Sequence, residues 1–268
     1  MTQKIDKIEQ SFPYFFPAFP RGKRSKRRFK NRNLITIQNK KLDTNVFECY
    51  LEHLWKKFSE DKRTSFTYLD CLWFDLYRKR ATKAKVLTWI KSKDIFSKNY
   101  VFVPIVCWRH WSLLILVHFG ERFQSKTTRT PCMLLLDSLG MANSTLIEPE
   151  IRKFVSDLYG EENSQETKSS IAKIPLLVPK VPQQKNSEDC GIFVLYYIHL
   201  FLKSAPENFN VIEGYPYFMN ENWFSYEGFD IFYEKFRTFC RKTRLPEKQT
   251  GRYDLNSCNS ESHILLVE

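Results

Sequence analysis

Residues 192–202, Ile-Phe-Val-Leu-Tyr-Tyr-Ile-His-Leu-Phe-Leu, are apolar on almost every side of a helix. Such a helix has to be enclosed by other elements rather than laid on a surface. A polar heptapeptide, Gln184-Lys-Asn-Ser-Glu-Asp-Cys190, runs straight into it through Gly191. Cys190 therefore falls where a loop becomes the first turn of a buried helix, beside unpaired backbone N–H groups and the positive end of the helix dipole. That position favours the thiolate, the nucleophilic form of the side chain. Two readings stand for it: an activated nucleophile, or a small core residue of the kind most free cysteines are.

The 268 residues are 43% hydrophobic and include 23 Phe, enough for a sizeable core. No run of 18 apolar residues is present, so no transmembrane helix is expected. No compact apolar segment with a cleavage site opens the chain, so no secretory signal is expected. Seven scattered cysteines, with no C-x-x-C and no Cys/His cluster at zinc spacing, predict free thiols in a reducing compartment and no structural metal site.

The net charge of +12 is unevenly spread. Residues 1–41 hold 12 Lys/Arg against 2 Asp/Glu, and the other 227 hold 30 against 28. The head is basic, and the rest is close to neutral. The basic run within 21–32 reads as a nuclear-import signal or a polyanion-binding arm, predicting a nuclear or cytoplasmic protein. The alternative is a solvated tail without a partner.

Residues 42–58 carry Phe47, Tyr50, Leu51, Leu54 and Trp55 at helical spacing, with Asp43, Thr44 or Asn45 as the cap. The aromatic stretch 66–77 predicts a second short helix, and 86–91 another. Residues 100–106, 110–117 and 133–137 suit buried strands. Residues 148–159 read as an amphipathic helix, 161–170 as a surface loop and 174–182 as extended by its prolines. A closing helix is expected within 224–242, followed by a loose tail.

A cysteine nucleophile needs a base within hydrogen-bond reach, and the base needs an orienting partner. Of five histidines, His110 alone begins a strand. If 110–118 and 132–137 form an antiparallel hairpin, His110 lies beside Asp137 at one sheet edge. Asp137 ends an apolar strand, a costly place for a carboxylate without a partner. Taken singly, Asp137 could start a turn and His110 could be a solvated strand end. An oxyanion would need donors. The Cys190 backbone N–H is one candidate, and Gln183 and Gln184 just upstream offer side-chain amides, Gln184 six residues before the cysteine.

These residues resemble a known family. The strand HWSLLIL (110–116), the block LLLDSL (134–139) and PQQKNSEDCGIFVL (182–195) are similar to the signature of the ubiquitin-like-modifier proteases, the SUMO (sentrin) family of papain-clan cysteine peptidases. LDTNVFECYLEHL (42–54), FTYLDCLWFDLY (66–77) and DIFSKNYVFVPI (94–105) extend the likeness in order across about 42–240.

The resemblance implies an α+β, papain-like fold, with a central mixed sheet flanked by helices and the nucleophile at a buried helix N-terminus. It implies a triad of His110, Asp137 and Cys190, Gln184 at the oxyanion hole, and Trp111 covering the Gly-Gly tail of the modifier. Two departures stand out. Lys41 lies near the place where many members carry a second tunnel tryptophan, and the connector 119–131 is longer than in compact members.

The expected organisation is a basic head (1–41), a catalytic domain (42–240) and a loose tail (241–268). The expected activity is hydrolysis after the C-terminal Gly-Gly of SUMO or another ubiquitin-like modifier, without cofactor or metal. A monomer is expected, with no membrane partner and no nucleic-acid partner except through the head. Competing readings are a catalytically silent modifier-binding module and a related cysteine acyltransferase, which acetyl-coenzyme A dependence would reveal.

Overall fold

A computed structural model describes residues 41–121, 129–140, 144–161 and 168–243. The basic run within 21–32, the core of the long connector, His263 and almost all of the expected tail lie outside the described residues.

The described residues open with helix α1 (Thr44–Trp55), capped by Asp43, whose side chain accepts from the Asn45 N–H. Helix α2 (Glu60–Ser65) and strand β1 (Phe66–Tyr68) follow. The stretch 66–77 is thus not one helix. Phe66-Thr-Tyr68 pairs in parallel with Tyr100–Phe102, and Phe66 stacks on Tyr100 with ring centroids 4.9 Å apart. Asp70 then turns the chain, its Oδ1 accepting from the Leu72 N–H at 2.7 Å, and α3 (Trp73–Arg78) begins. Pairing across the sheet overrides the helical spacing of the aromatics.

Helix α4 (Arg80–Lys91) begins six residues before the sequence pattern suggests, because its first turns are basic and solvated. Strands β2 (Tyr100–Cys107), β3 (His110–Val117) and β4 (Cys132–Leu136) form the centre of the sheet. Helix α5 (Ser144–Glu161) leads to α6 (Lys168–Ala172), which occupies part of the expected loop 161–170. Strand β5 (Leu176–Leu177), α7 (Cys190–Ser204) and α8 (Tyr226–Thr243) complete the order.

The sheet runs β1-β2-β3-β4-β5. Its outer pairs are parallel and its two inner pairs antiparallel, making it mixed. Alternation along the strands sends side chains into two cores. Trp111, Leu113, Ile115 and Val117 face α1, α7 and α8, whereas Leu114 and Leu116 face α3, α4 and α5. Helix α7, buried from Cys190 through Ile198 and again at Phe201 and Leu202, is enclosed in the first of these. The fold is α+β with a central mixed sheet and the cysteine at the start of a buried helix.

Cys71, Cys107, Cys132 and Cys190 are free thiols. No helix among the described residues is long and apolar enough to cross a membrane.

Candidate active site

Strand pairing brings the dispersed polar residues together. Leu113 pairs with Leu136, so one step further Ser112 stands opposite Asp137, and His110 lies diagonally across from it. His110 Nε2 is 2.6 Å from Asp137 Oδ2. Asp137 is buried, and its Oδ1 accepts from the Leu139 N–H at 2.8 Å. That contact fixes the carboxylate as the chain leaves β4. With Nε2 committed to Asp137, the other ring nitrogen, Nδ1, is buried without a hydrogen-bond partner.

Cys190 lies close enough to this imidazole for each group to shift the other's titration. It is the first residue of α7, with Asp189 as N-cap residue. Opposing influences act on the buried thiol. Burial would raise its pKa, but the neighbouring His110 imidazole, the Trp111 backbone N–H and the charge of Lys41 together hold it below the ordinary thiol value. The imidazole responds in the opposite sense. Burial would lower it, and its interactions with Asp137 and Cys190 lift it to about 9. Together the two shifts favour a thiolate beside an imidazolium.

Gln184 is buried against Ser138, the residue that follows Asp137. Its Oε1 accepts from Ser138 Oγ at 2.5 Å, and its backbone N–H donates to the Ser138 carbonyl at 2.7 Å. Gln184 Nε2 donates to the Asn186 carbonyl. A carbonyl only accepts, so the amide's orientation is fixed, and one of its two N–H bonds is left for another acceptor. The loop holding it is knit by Asn186, whose Oδ1 accepts from the Glu188 and Asp189 N–H groups.

Several supporting contacts escape a sequence reading. Ser138 reads there only as a strand exit. Gln183 Nε2 donates to the Asp137 carbonyl at 3.1 Å and to the Val181 carbonyl at 2.7 Å, and Tyr226 donates to the Gln183 carbonyl at 2.6 Å. Ser138 and Gln183 adjoin the candidates in sequence, and that adjacency was the available signal. Tyr226, over 30 residues from any candidate, gave none.

Trp111 is buried, stacked on Phe47 with centroids 4.3 Å apart. A Cβ placed on Gly191 would lie 3.4 Å from Trp111 Cδ1 and 3.0 Å from Leu42, so glycine is the residue that allows this close approach without displacing its neighbours. Lys41 Nζ donates to the Arg109 carbonyl beside the same corner.

The remaining described histidines serve elsewhere. His118 Nε2 accepts from the Phe209 N–H at 3.1 Å, His53 packs on Tyr50 and Phe239, and His199 lies near Phe232. Among the described residues, Glu48, Asp70 and Cys71 are close enough to hold a metal ion. Glu48 Oε1 and Asp70 Oδ1 are instead occupied by the N–H groups of Cys71 and Leu72.

Residues 27–227 match the Ulp1 protease family, C-terminal catalytic domain. The chain belongs to the Ulp1 protease family. Its relatives include the probable ubiquitin-like-specific protease 2A of Arabidopsis thaliana, 32% identical over 204 residues that cover 68% of this chain and 26% of that protein. Sentrin-specific protease 7 of Mus musculus is 24% identical over 219 residues, covering 62% and 21% respectively. The chain thus spans about a quarter of the length of these Ulp1-family relatives. Its backbone is similar to that in the crystal structure of a de-sumoylating protease, with a TM-score of 0.51 at 22% identity, covering 77% of this chain and 78% of that one. That likeness shows a shared fold.

Proposed function

We propose that this chain is a thiol protease that hydrolyses the bond following the C-terminal glycine of a ubiquitin-like protein, in a precursor or in an isopeptide conjugate. The observation that carries the reading is the single constellation of Cys190 at a helix start, His110 facing it and Asp137 2.6 Å behind His110.

Cys190 thiolate attacks the glycine carbonyl carbon. The developing oxyanion takes hydrogen bonds from the Gln184 amide and the Cys190 backbone N–H. His110 gives its proton to the leaving amine, and the acyl-enzyme thioester remains. His110, now neutral, removes a proton from water as that water attacks the thioester, and Cys190 leaves as thiolate. Asp137 holds the imidazole in position and stabilises its protonated form. No step requires a cofactor.

Leu42 and Trp111 crowd Gly191 beside the buried thiol. A narrow approach of this kind suits an extended tail without side chains, which is what two glycines provide. SUMO is the favoured modifier, supported by the names of the relatives above. The basic run within 21–32 is read as a nuclear-import signal. A fluorescent fusion that stays nuclear after those basic residues are changed to Ala would contradict that part.

The test is labelling by vinyl sulfone probes and cleavage of coumarin substrates built on individual ubiquitin-like modifiers. The wild type labels and cleaves at least one of them, and Cys190→Ala does neither. A folded wild type inert toward all of them would overturn the reading. Binding without turnover, unchanged by Cys190→Ala, would identify a silent binding module instead.

A further inference from the structure

The turn that presents His110 breaks a local rule. Cys107 pairs with His110 across the β2–β3 hairpin, leaving Trp108 and Arg109 as a two-residue loop. Both central residues have positive φ, 50° at Trp108 and 61° at Arg109. This is the type I′ pattern, normally filled by Asn, Asp or Gly because a Cβ is strained there. A bulky aromatic is among the least suited residues for such a position. Trp108 is moreover 70% exposed. Strain and exposure thus coincide at one residue, and among the described residues its ring makes no stacking or cation–π contact.

Neighbouring groups hold the turn in this conformation. Lys41 Nζ donates to the Arg109 carbonyl, and Arg78 Nη1 lies 3.9 Å from Cys107 Sγ. Strained backbone that its surroundings maintain clusters at working sites, and this turn ends at His110.

The direction in which Trp108 could act follows from the chemistry proposed above. His110 must deliver its proton to the leaving amine, so the leaving half of the substrate has to lie on the His110 side of the scissile bond. In the protease reading the modifier's tail takes the other side, toward Trp111 and Gly191. The residues protruding next to His110 therefore border the leaving half.

We propose that Trp108 is a specificity residue for the leaving side: its exposed ring packs on the lysine stem and adjoining polypeptide of the protein to which the modifier is attached. The inference rests on the protease reading and adds which half of the substrate this surface recognises. A flat aromatic face on an aliphatic stem gives contact area with little sequence demand.

The experiment compares two substrates that share the modifier and differ in the leaving group: a C-terminal aminomethylcoumarin, and an isopeptide to a lysine in a folded acceptor protein. Trp108→Asn removes the ring and supplies a residue suited to the turn, and Trp108→Phe keeps an aromatic face. Expected for Trp108→Asn is a kcat/KM about tenfold lower on the isopeptide conjugate, the scale of losing one well-packed aromatic contact. Its rate on the coumarin substrate stays at the wild-type value, and its Tm is equal or higher. Trp108→Phe restores most of the isopeptide rate. Equal losses on both substrates, or no loss on either, would overturn the inference while leaving the protease reading intact. A wild type that cleaves neither substrate would overturn both.

Discussion

His110 Nε2 and Asp137 Oδ2 are 2.6 Å apart across the β3–β4 edge, with the carboxylate buried and further held by the Leu139 N–H. This pair decides which imidazole nitrogen is left for the thiol. Asp137→Asn keeps the shape but removes the charge and substitutes a group that can also donate. It is expected to lower kcat by up to about 10⁴, with folding retained. Single-turnover cleavage together with a thermal melt checks both. An Asp137→Asn variant within about threefold of wild type would show that the pair is structural only.

The two shifted groups predict a bell-shaped pH–rate profile. Cys190 must be thiolate, and its pKa is held below the ordinary thiol value, so the acid limb lies below that of a free cysteine. His110 must be protonated to release the amine, and its pKa is raised to about 9, so activity falls as pH rises through that region. The apparent values belong to the coupled pair. In Asp137→Asn the stabilising charge behind His110 is gone, and the alkaline limb moves to lower pH. A profile of residual kcat/KM against pH reads this shift, and an unmoved alkaline limb would contradict the assignment.

Gln184 is positioned by Ser138 as well as by its own loop. Gln184→Ala is expected to lower kcat by about 10²–10³, the scale for losing one oxyanion donor, with modifier affinity little changed. Ser138→Ala leaves the amide present but less fixed, so a smaller loss in kcat is expected. Equal losses in the two variants would mean that the hydroxyl, rather than the amide, matters most. Steady-state kinetics on a coumarin substrate separates the cases.

Much of this arrangement was legible in the residues, and the reasons are specific. Helix α7 had to be enclosed because it is apolar all round, and that alone located Cys190. His110 and Asp137 stood out as polar residues bounding apolar strands, and antiparallel pairing made them neighbours. The residues 66–68 were harder: their aromatic spacing suits a helix, and only the pairing of Phe66 with Tyr100 makes them a strand. Helices α4 and α6 extend into charged stretches whose solvated faces leave no apolar pattern. The Gln183 and Tyr226 contacts depend on where α8 docks, which no local signal in the chain reports.

Gly191 is the place where the thiol's helix most closely approaches its surroundings. Gly191→Ala would put a Cβ 3.0 Å from Leu42 and 3.4 Å from Trp111. The helix gains up to about 1 kcal/mol of propensity, offset by that crowding, so stability changes by about 1 kcal/mol or less. The displaced Leu42 and Trp111 narrow the approach to Cys190, and kcat/KM on modifier substrates falls about tenfold, equivalent to about 1.4 kcal/mol. Urea unfolding and kinetics on the same preparation check the contrast. A loss of stability large enough to explain the loss of activity would contradict it.

Stability should also depend on a group away from the proposed catalytic residues. Glu48 on α1 is buried, and burial together with the charge of Asp70 raises its pKa from 4.5 to about 8. The folded state therefore retains a proton that the unfolded state releases above 4.5. Stability contributed by this group falls as pH rises from that value and is fully lost at about 8. Glu48→Gln can still accept from the Cys71 N–H and does not ionise. Expected is a shallower decline in unfolding free energy between about pH 5 and 8 than in wild type. Parallel pH dependences in the two proteins would show that Glu48 does not set the slope.

The central claim is that Cys190 is a nucleophile aimed at a glycine carbonyl. The most direct measurement is intact-mass analysis after incubation with SUMO carrying a C-terminal vinyl sulfone, followed by peptide mapping. The account predicts one adduct per chain, located on Cys190, absent in Cys190→Ala and strongly slowed in His110→Ala. An adduct on another cysteine, or labelling of Cys190 at the same rate without His110, would contradict it.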